Sequence, residues 1–432
     1  MHTWKIRPST LSGMIQVPPS KSQSMRALLC ASFAAGTSHL YGLLESPDVD
    51  ALCRVCRQFG AELSGDCEHM IVRGVAGQPK RPLQIDAGNS GIVLRFCTAL
   101  ACLVDGMTEV TGDATIRDLR PVQPLVKGLE DLGVSVSATG ASMRPPLIVD
   151  GMATRWACRL DGEDSQPVSA LLLLAAFREG CTRICVDSLG EEPWVEMTLE
   201  WLRRLGVVVY RHGKSDFSVI GNTIADPFVY RVPGDWSTAA FPIVAGIMAG
   251  KELCVRGLDC EDLQGDRKIL EVLGRMGADF SYRGGDLRIR SSSLRATSVD
   301  MDAMIDALPI LAVLATAAEG ETHLYNAAGA RVKECDRVAT MARALEAMGA
   351  DVREEEDGLR IRKSQLYAAD IGVANDHRVA MALAVAALSA TGETRLNGVD
   401  CCAKTYGGFR EAFRHLGADI EAYAVDTNRV YA

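Results

Sequence analysis

The sequence predicts an α/β fold of two lobes, built from six repeats whose apolar helices are buried and wrapped by sheet. Three observations predict it. An apolar residue, Gly, a small residue and a strand-like run recur around Gly60, Gly133, Gly206, Gly277, Gly349 and Gly417, with gaps of 73, 73, 71, 72 and 68 residues. A second series, in which Gly closes an apolar helix ahead of a β-rich run, recurs at Gly36, Gly106, Gly180, Gly250, Gly320 and Gly392, with gaps of 70, 74, 70, 70 and 72. Both spacings lie near one sixth of the 432 residues, so the whole chain reads as six copies of helix, Gly, strand, helix, Gly, strand. In each copy Gly stands where a helix C-terminus needs the left-handed conformation. Finally, helices such as VSALLLLAAFREG and ALPILAVLATAAEG are apolar nearly all round, which places them in an interior rather than on a surface.

Taken in order, the first helix of each repeat opens with a short polar segment: SKSQSMR from Ser20, GNSGIVLR from Gly88, DSQPVS from Asp164, GDWSTAA from Gly234, MIDALP from Met304 and NDHRVAM from Asn375. The second helices open near SPDVD from Ser46, RDLRP from Arg117, EEPW from Glu191, QGDRK from Gln264, VKECDR from Val332 and AKTYGG from Ala403. Grouped three and three, the repeats give one lobe at residues 1–19 plus 234–432 and another at 20–233. The chain would cross near Pro18 and again near Val232 to Gly234, and the ligand site is expected in the cleft between the lobes.

Composition narrows the function. At 48% apolar and 23% charged residues the chain is an ordinary globular one, which excludes long disorder, a disulfide miniprotein and a collagen-like fibre. The longest apolar stretches, Val168 to Phe177 and Val379 to Ala390, are too short for a membrane span, and MHTWKIRPST has no apolar run of a secretory signal. A formal charge of -9 argues against charge-driven binding to nucleic acid or anionic membrane. The 14 cysteines are scattered, and the lone CxxC of Cys53 and Cys56 has no second pair to complete a zinc site, so reduced thiols in the cytoplasm and no metal are expected.

The polar helix starts carry the chemistry. Ser20, Asp164, Asp235 and Asp376 are good N-cap residues, and plain capping explains them. It does not explain Lys21, Arg26, Arg95, Arg120, Lys333, Arg337, Arg378 and Lys404, because a cation at a helix N-terminus opposes the macrodipole by roughly 0.3 to 1 kcal/mol. An anion between the cations reverses the sign, so the segments predict a ligand with several negative charges. Two carboxylates stand among them. Asp306 precedes a wholly apolar helix, whose N-terminus would favour its ionised form and suit it to act as a base; Glu334 sits between Lys333 and the Asp336–Arg337 pair. His377 lies between Asp376 and Arg378.

Together these segments resemble the 5-enolpyruvylshikimate-3-phosphate synthase family of 3-phosphoshikimate 1-carboxyvinyltransferases, from about Val17 to Phe409. PPSKSQSMR resembles the family's Lys-Ser motif with its downstream Arg, GNSGIVLR its GNxGTxxR loop, LRPVQPL its Arg-Pro loop and DSQ its Ser-Ser-Gln, while RVKECDR, NDHR and AKT match its RVKExDR, NDHR and KT segments. The resemblance implies the enolpyruvyl-transferase fold, two lobes of three βαβαββ repeats each. It also implies transfer of the enolpyruvyl group of phosphoenolpyruvate to the 5-hydroxyl of shikimate 3-phosphate, without metal or organic cofactor, by a monomer. Lys21, Ser22, Arg26, Ser165, Gln166, Asp306 and Lys333 would then bind shikimate 3-phosphate. Lys21, Asn89, Gly91, Arg120, Gln166, Arg337, Arg378 and Lys404 would surround phosphoenolpyruvate. Asp306 would take the hydroxyl proton, and Glu334 with Lys21 would handle the proton at the methylene carbon.

Several positions depart from the family's pattern. Asp164 replaces the first Ser of Ser-Ser-Gln, Glu191 and Trp194 stand where SxPY is usual, and Gly329 stands in place of an Asn. Ile92 follows Gly91 in place of Thr and Phe96 follows Arg95 in place of Pro; in the family, changes there weaken glyphosate, so reduced sensitivity is expected. Two other readings compete with this one. The sister transferase acting on UDP-N-acetylglucosamine usually carries Cys, sometimes Asp, in a mobile loop, and TGDATIRDLRPVQP has no Cys. A non-catalytic anion-binding paralogue could lose the carboxylates, yet Asp306 and Glu334 are present.

Overall fold

Each of the six repeats folds into a four-stranded sheet. In the computed structural model, which describes residues 2–138, 143–221 and 224–424, the third repeat shows the pattern without interruption. Ala157–Asp161 runs parallel to Gly180–Asp187 across the buried helix Ser165–Ala176, and after the helix Glu192–Arg204 the hairpin Val208–His212 and Asp216–Gly221 adds antiparallel. The order is first, second, fourth, third, and three of the other five four-stranded sheets repeat it; in the remaining two a strand from a distant part of the chain takes one place, Val229–Arg231 beside Thr37–Tyr41 and His2–Arg7 between Thr394–Asn397 and Asp419–Ala424. This adds two strands per repeat to the sequence pattern. The opening strands are as short as Gln84–Asp86, too short to show an alternation.

The chain divides into two compact units, Pro19–Pro233 and Met1–Pro18 with Gly234–Ala432. Strand pairing explains the discontinuity. His2–Arg7 is an inner strand between Thr394–Asn397 and Asp419–Ala424, and Leu11–Gln16 runs parallel to Gly250–Arg256, so the N-terminal strands complete sheets whose other members come from the second half of the chain. In the Pro19–Pro233 unit, Val229–Arg231 returns to lie parallel to Thr37–Tyr41.

The helices sort as their patterns require. Ser165–Ala176, Leu308–Ala315 and His377–Ser389 are buried along almost their whole length, and Pro47–Phe59 turns Val49, Leu52, Val55, Cys56 and Phe59 inward while Asp50, Arg54 and Arg57 face water. Each fully buried Leu of Leu171 to Leu174 contributes roughly 1.5 to 3 kcal/mol by leaving water. Gly60, Gly133, Gly206, Gly277, Gly349 and Gly417 close their helices in the left-handed region, whereas Gly36, Gly106, Gly180, Gly320 and Gly392 are left-handed in the link beyond the helix end, and Gly250, which caps Trp236–Ala249 directly, has φ of -88°. There a side chain is excluded for another reason: a Cβ would lie 2.3 Å from the carbonyl oxygen of Gly246. None of the 14 cysteines is in a disulfide, and Cys30, Cys56 and Cys102 are thiols whose burial pushes their pKa up to about 12. Among the described residues no helix is long and apolar enough to cross a membrane.

Candidate active site

In the Pro19–Pro233 unit the polar segments gather round three helix starts. Ser20 caps Lys21–Phe33 by accepting from the amide of Gln23, which leaves Lys21 as the first helical residue, its Nζ 3.5 Å from the buried carboxylate of Asp48. One turn on, Arg26 is buried: its Nε donates to Thr198 Oγ1 at 2.9 Å, Nη2 donates to the Trp194 carbonyl at 3.1 Å and Nη1 to the Ser22 carbonyl at 3.3 Å. Its guanidinium also lies 5.3 Å from the centre of the Phe96 ring, a cation–π distance. Asn89 holds its loop by donating to Asp113 and Thr115 at 2.8 and 2.9 Å.

Arg95 ties the loop to the next repeat. It sits in a π-helical turn, Val93–Cys97, an irregularity that often re-aims side chains at functional positions. It donates to Gln166 Oε1 and to the Pro121 carbonyl, both at 2.9 Å, and pairs with Asp164 at 3.0 Å. A Cβ on Gly91 would lie 3.0 Å from both Arg95 and Gln166, so the residue beside this contact has to be small. Burial pulls the Arg95 pKa down, and the charges of Asp164 and Glu191 oppose that pull. Arg120 is buried in the turn ahead of the helix Gln123–Asp131. Asp164 therefore points at a cation while capping its helix through the Gln166 amide, and Ser165 donates its amide and hydroxyl to Glu191.

In the other unit a single guanidinium organises the site. Arg337 is 1% exposed and donates to three carboxylates, Asp306 from Nη1, Glu334 from Nη2 and Asp376 from Nε, each at 2.7 Å. Burial alone would lower its pKa, but the three carboxylates raise it well above the ordinary value. Arg378 pairs with Asp306 at 2.8 Å, while its Nε and Nη1 are buried with no hydrogen-bond partner among the described residues. Lys404 holds the other oxygen of Glu334 at 2.8 Å. Asp376 does double work, capping His377–Ser389 through the amides of Arg378 and Val379 with one oxygen and holding Arg337 with the other.

Two expectations are corrected here. Asp306 is ionised, but not through a helix N-terminus: it lies in the 3-10 turn Asp302–Ala307, one residue outside the capping position of Leu308–Ala315. Burial would raise its pKa, and Arg378, Arg337 and Lys333 outweigh that and hold it well below the usual carboxylate range. Nor do all the cations sit at helix starts. Lys21, Arg337 and Arg378 do, whereas Arg95 lies a turn inside, Arg120 and Lys333 lie in turns and Lys404 lies in the four-residue helix Ala403–Tyr406. At Arg337 and Arg378 the opposing macrodipole is answered by the protein's own carboxylates.

Ligand-type atoms of Glu334, Asp376 and His377 lie within 4.8 Å of one another. Arg337 and Lys404 already balance the two carboxylates, so this cluster reads as an ion-pair network. Asp266 was missed as a member of this charge cluster. It is fully buried beside Ser237, and burial together with the charge of Asp306 pushes its pKa up to about 7. Asp48 and Thr198 were missed as well; only their capping-like or helical context is visible in sequence. Gly329 lies in a turn where a Cβ would meet only Ile305 Cγ1, at 3.9 Å.

A family model described as EPSP synthase (3-phosphoshikimate 1-carboxyvinyltransferase) matches residues 6–413. The chain belongs to the EPSP synthase family. Proteins named 3-phosphoshikimate 1-carboxyvinyltransferase from Ruminiclostridium cellulolyticum and Chlamydia caviae are 39% and 37% identical to it; the matches cover 96% and 98% of this chain and 99% and 95% of theirs. The EPSP synthase structure of Acinetobacter baumannii superposes with a TM-score of 0.82 at 27% identity, over 98% of this chain and all of that one. The enolpyruvyl transferase NikO of Streptomyces tendae shares the fold, with a TM-score of 0.80 at 19% identity over 98% and 99% of the two chains. The UDP-N-acetylglucosamine alternative is not favoured by these EPSP synthase matches.

Proposed function

We propose that the chain transfers the enolpyruvyl group of phosphoenolpyruvate to the 5-hydroxyl of shikimate 3-phosphate and releases inorganic phosphate, a step of the shikimate pathway towards aromatic amino acids. The observation that carries the reading is the arrangement around Arg337. Two carboxylates, Asp306 and Glu334, lie on separate nitrogens of one guanidinium, and Arg378 keeps two buried donors beside its own contact to Asp306. Cations already balanced by carboxylates can accept a polyanionic substrate by exchanging partners.

In this reading Lys21, Ser22, Arg26, Ser165, Gln166 and Lys333 hold the acceptor. Lys21, Asn89, Gly91, Arg120, Gln166, Arg337, Arg378 and Lys404 surround phosphoenolpyruvate, and both residue sets serve one pair of substrates. As the carboxylate of phosphoenolpyruvate takes hydrogen bonds from Arg337 and Arg378, their hold on Asp306 weakens and Asp306 becomes basic enough to accept the 5-hydroxyl proton. The hydroxyl oxygen bonds to C2 while C3 takes a proton, giving a tetrahedral ketal phosphate. Loss of a proton from the new methyl group then restores the double bond as the C2–O bond to phosphate breaks. Glu334 and Lys21 handle the proton at C3 in both halves, and the charge cluster titrates as a unit. Orienting two bound reactants can supply about 7 to 11 kcal/mol of the barrier reduction. A monomeric working form in the cytoplasm belongs to the same proposal, in keeping with buried reduced thiols.

The test is direct. Purified protein is mixed with shikimate 3-phosphate and phosphoenolpyruvate and phosphate release is followed, with UDP-N-acetylglucosamine as the competing acceptor. Release with the sugar nucleotide and none with shikimate 3-phosphate would overturn the reading.

A further inference from the structure

We propose that Glu191 is a specificity-determining residue: its carboxylate is the protein's own occupant of the anion position at Ser165, and the acceptor's phosphate has to displace it. The inference rests on the proposed role of Ser165 in holding shikimate 3-phosphate. Ser165 is the first residue of the twelve-residue buried helix Ser165–Ala176, where amide hydrogens lack helical partners. It donates both its amide and its hydroxyl to a single oxygen, Glu191 Oε2, at 3.3 and 2.7 Å. Glu191 is 7% exposed. A carboxylate and a phosphate are both acceptor-only groups, so they compete for these two hydrogens and cannot share them.

The surroundings sharpen the competition. Asp164 lies next in the chain, its Oδ1 accepting from the Gln166 amide at 2.9 Å and its Oδ2 3.0 Å from Arg95. Arg95 is buried and feels the charge of both Asp164 and Glu191, so two carboxylates share this cation before any substrate arrives. A phosphate at Ser165 adds a third negative group. The turn that delivers Glu191, between the strand Gly180–Asp187 and the helix Glu192–Arg204, is left-handed at both Ser188 and Glu191, with φ of 52° and 45°. Non-glycine residues keep that conformation only where something holds them, and the two hydrogen bonds to Ser165 act here together with the Gly190 amide on the Gly162 carbonyl and the Trp194 amide on the Glu191 carbonyl, both at 3.0 Å.

The experiment is calorimetric titration of the full chain with shikimate 3-phosphate and, separately, with shikimate, for wild type, Glu191→Gln and Glu191→Ser. Gln keeps the shape and removes the charge; Ser installs the residue usual in the family. Both variants are expected to bind shikimate 3-phosphate about tenfold more tightly, the worth of one charge-assisted contact. Their affinity for shikimate, which lacks the phosphate, should not change, and a merely structural role for Glu191 would not separate the two ligands. Unchanged or weaker binding of shikimate 3-phosphate by both variants, with wild-type binding intact, overturns this inference alone. An equal gain for both ligands overturns it as well. Absence of shikimate 3-phosphate binding in all three proteins removes the acceptor reading and this inference with it.

Discussion

Replacing Asp266 by Asn should remove a pH dependence from the stability of the protein. Asp266 has no exposed surface, one oxygen held by Ser237 and the other with no partner among the described residues. Burial and the nearby charges of Asp306 and Asp235 raise its pKa from 3.8 to about 7, against the opposing pull of Arg378 and the Ser237 hydrogen bond. Its folded pKa lies above its unfolded one, so the folded chain keeps a proton that the unfolded chain has lost. Stability therefore falls as pH rises from about 4 to about 7 and is level above that. At about 1.4 kcal/mol per tenfold step, the loss between about pH 4.5 and about pH 8 comes to about 3 kcal/mol. Asn can accept the Ser237 hydrogen bond but has no proton to lose. Its amide hydrogens meet no acceptor at the other position, which adds a pH-independent cost of about 1 to 3 kcal/mol. The slope, not the absolute stability, is thus the readout. Urea unfolding of wild type and Asp266→Asn at the two pH values gives it directly: the variant should gain on wild type by about 3 kcal/mol as pH rises. Parallel pH profiles would refute the placement of a protonated carboxyl behind Asp306.

Other substitutions address the chemistry. Lys21→Met and Asp306→Ala should each abolish phosphate release while circular dichroism shows an intact fold, and near-normal turnover in either defeats the assignment. Arg337→Lys places one ammonium where three carboxylates each need a donor, so it should cost about 3 to 5 kcal/mol in unfolding measurements and weaken phosphoenolpyruvate in a binding titration. An inhibition curve should show reduced sensitivity to glyphosate, with Ile92 and Phe96 beside the proposed phosphoenolpyruvate loop.

What could be read from sequence follows the range of the interaction. Gly60 and its five counterparts, and the caps Ser20, Asp164, Asp235 and Asp376, act within a few residues, and each does in the fold what its neighbours imply. Gly250 is the exception because its constraint comes from backbone four residues earlier rather than from its own dihedral. The cations were visible as residue types, but not their partners. Thr198 is 172 residues from Arg26, and Asp376 is 39 from Arg337, and no local pattern announces either contact. The ionisation of Asp306 was legible and its cause was not, because the cause lies in Arg337 from the second helix of the same repeat and Arg378 from the next one, 31 and 72 residues away in the chain. Asp266 looked like one more acidic residue in a second-helix start; only burial makes it different.

The placement of His2–Arg7 at the middle of its sheet has a consequence for biosynthesis. His2–Arg7 must wait for Thr394–Asn397 and Asp419–Ala424 to be made, on the order of half a minute later at usual elongation rates. The Pro19–Pro233 segment has all its strand partners within itself and can mature meanwhile. A nascent chain of this protein therefore keeps His2–Arg7 unpaired while the Pro19–Pro233 segment folds, and its sheet closes only when Asp419–Ala424 has been made.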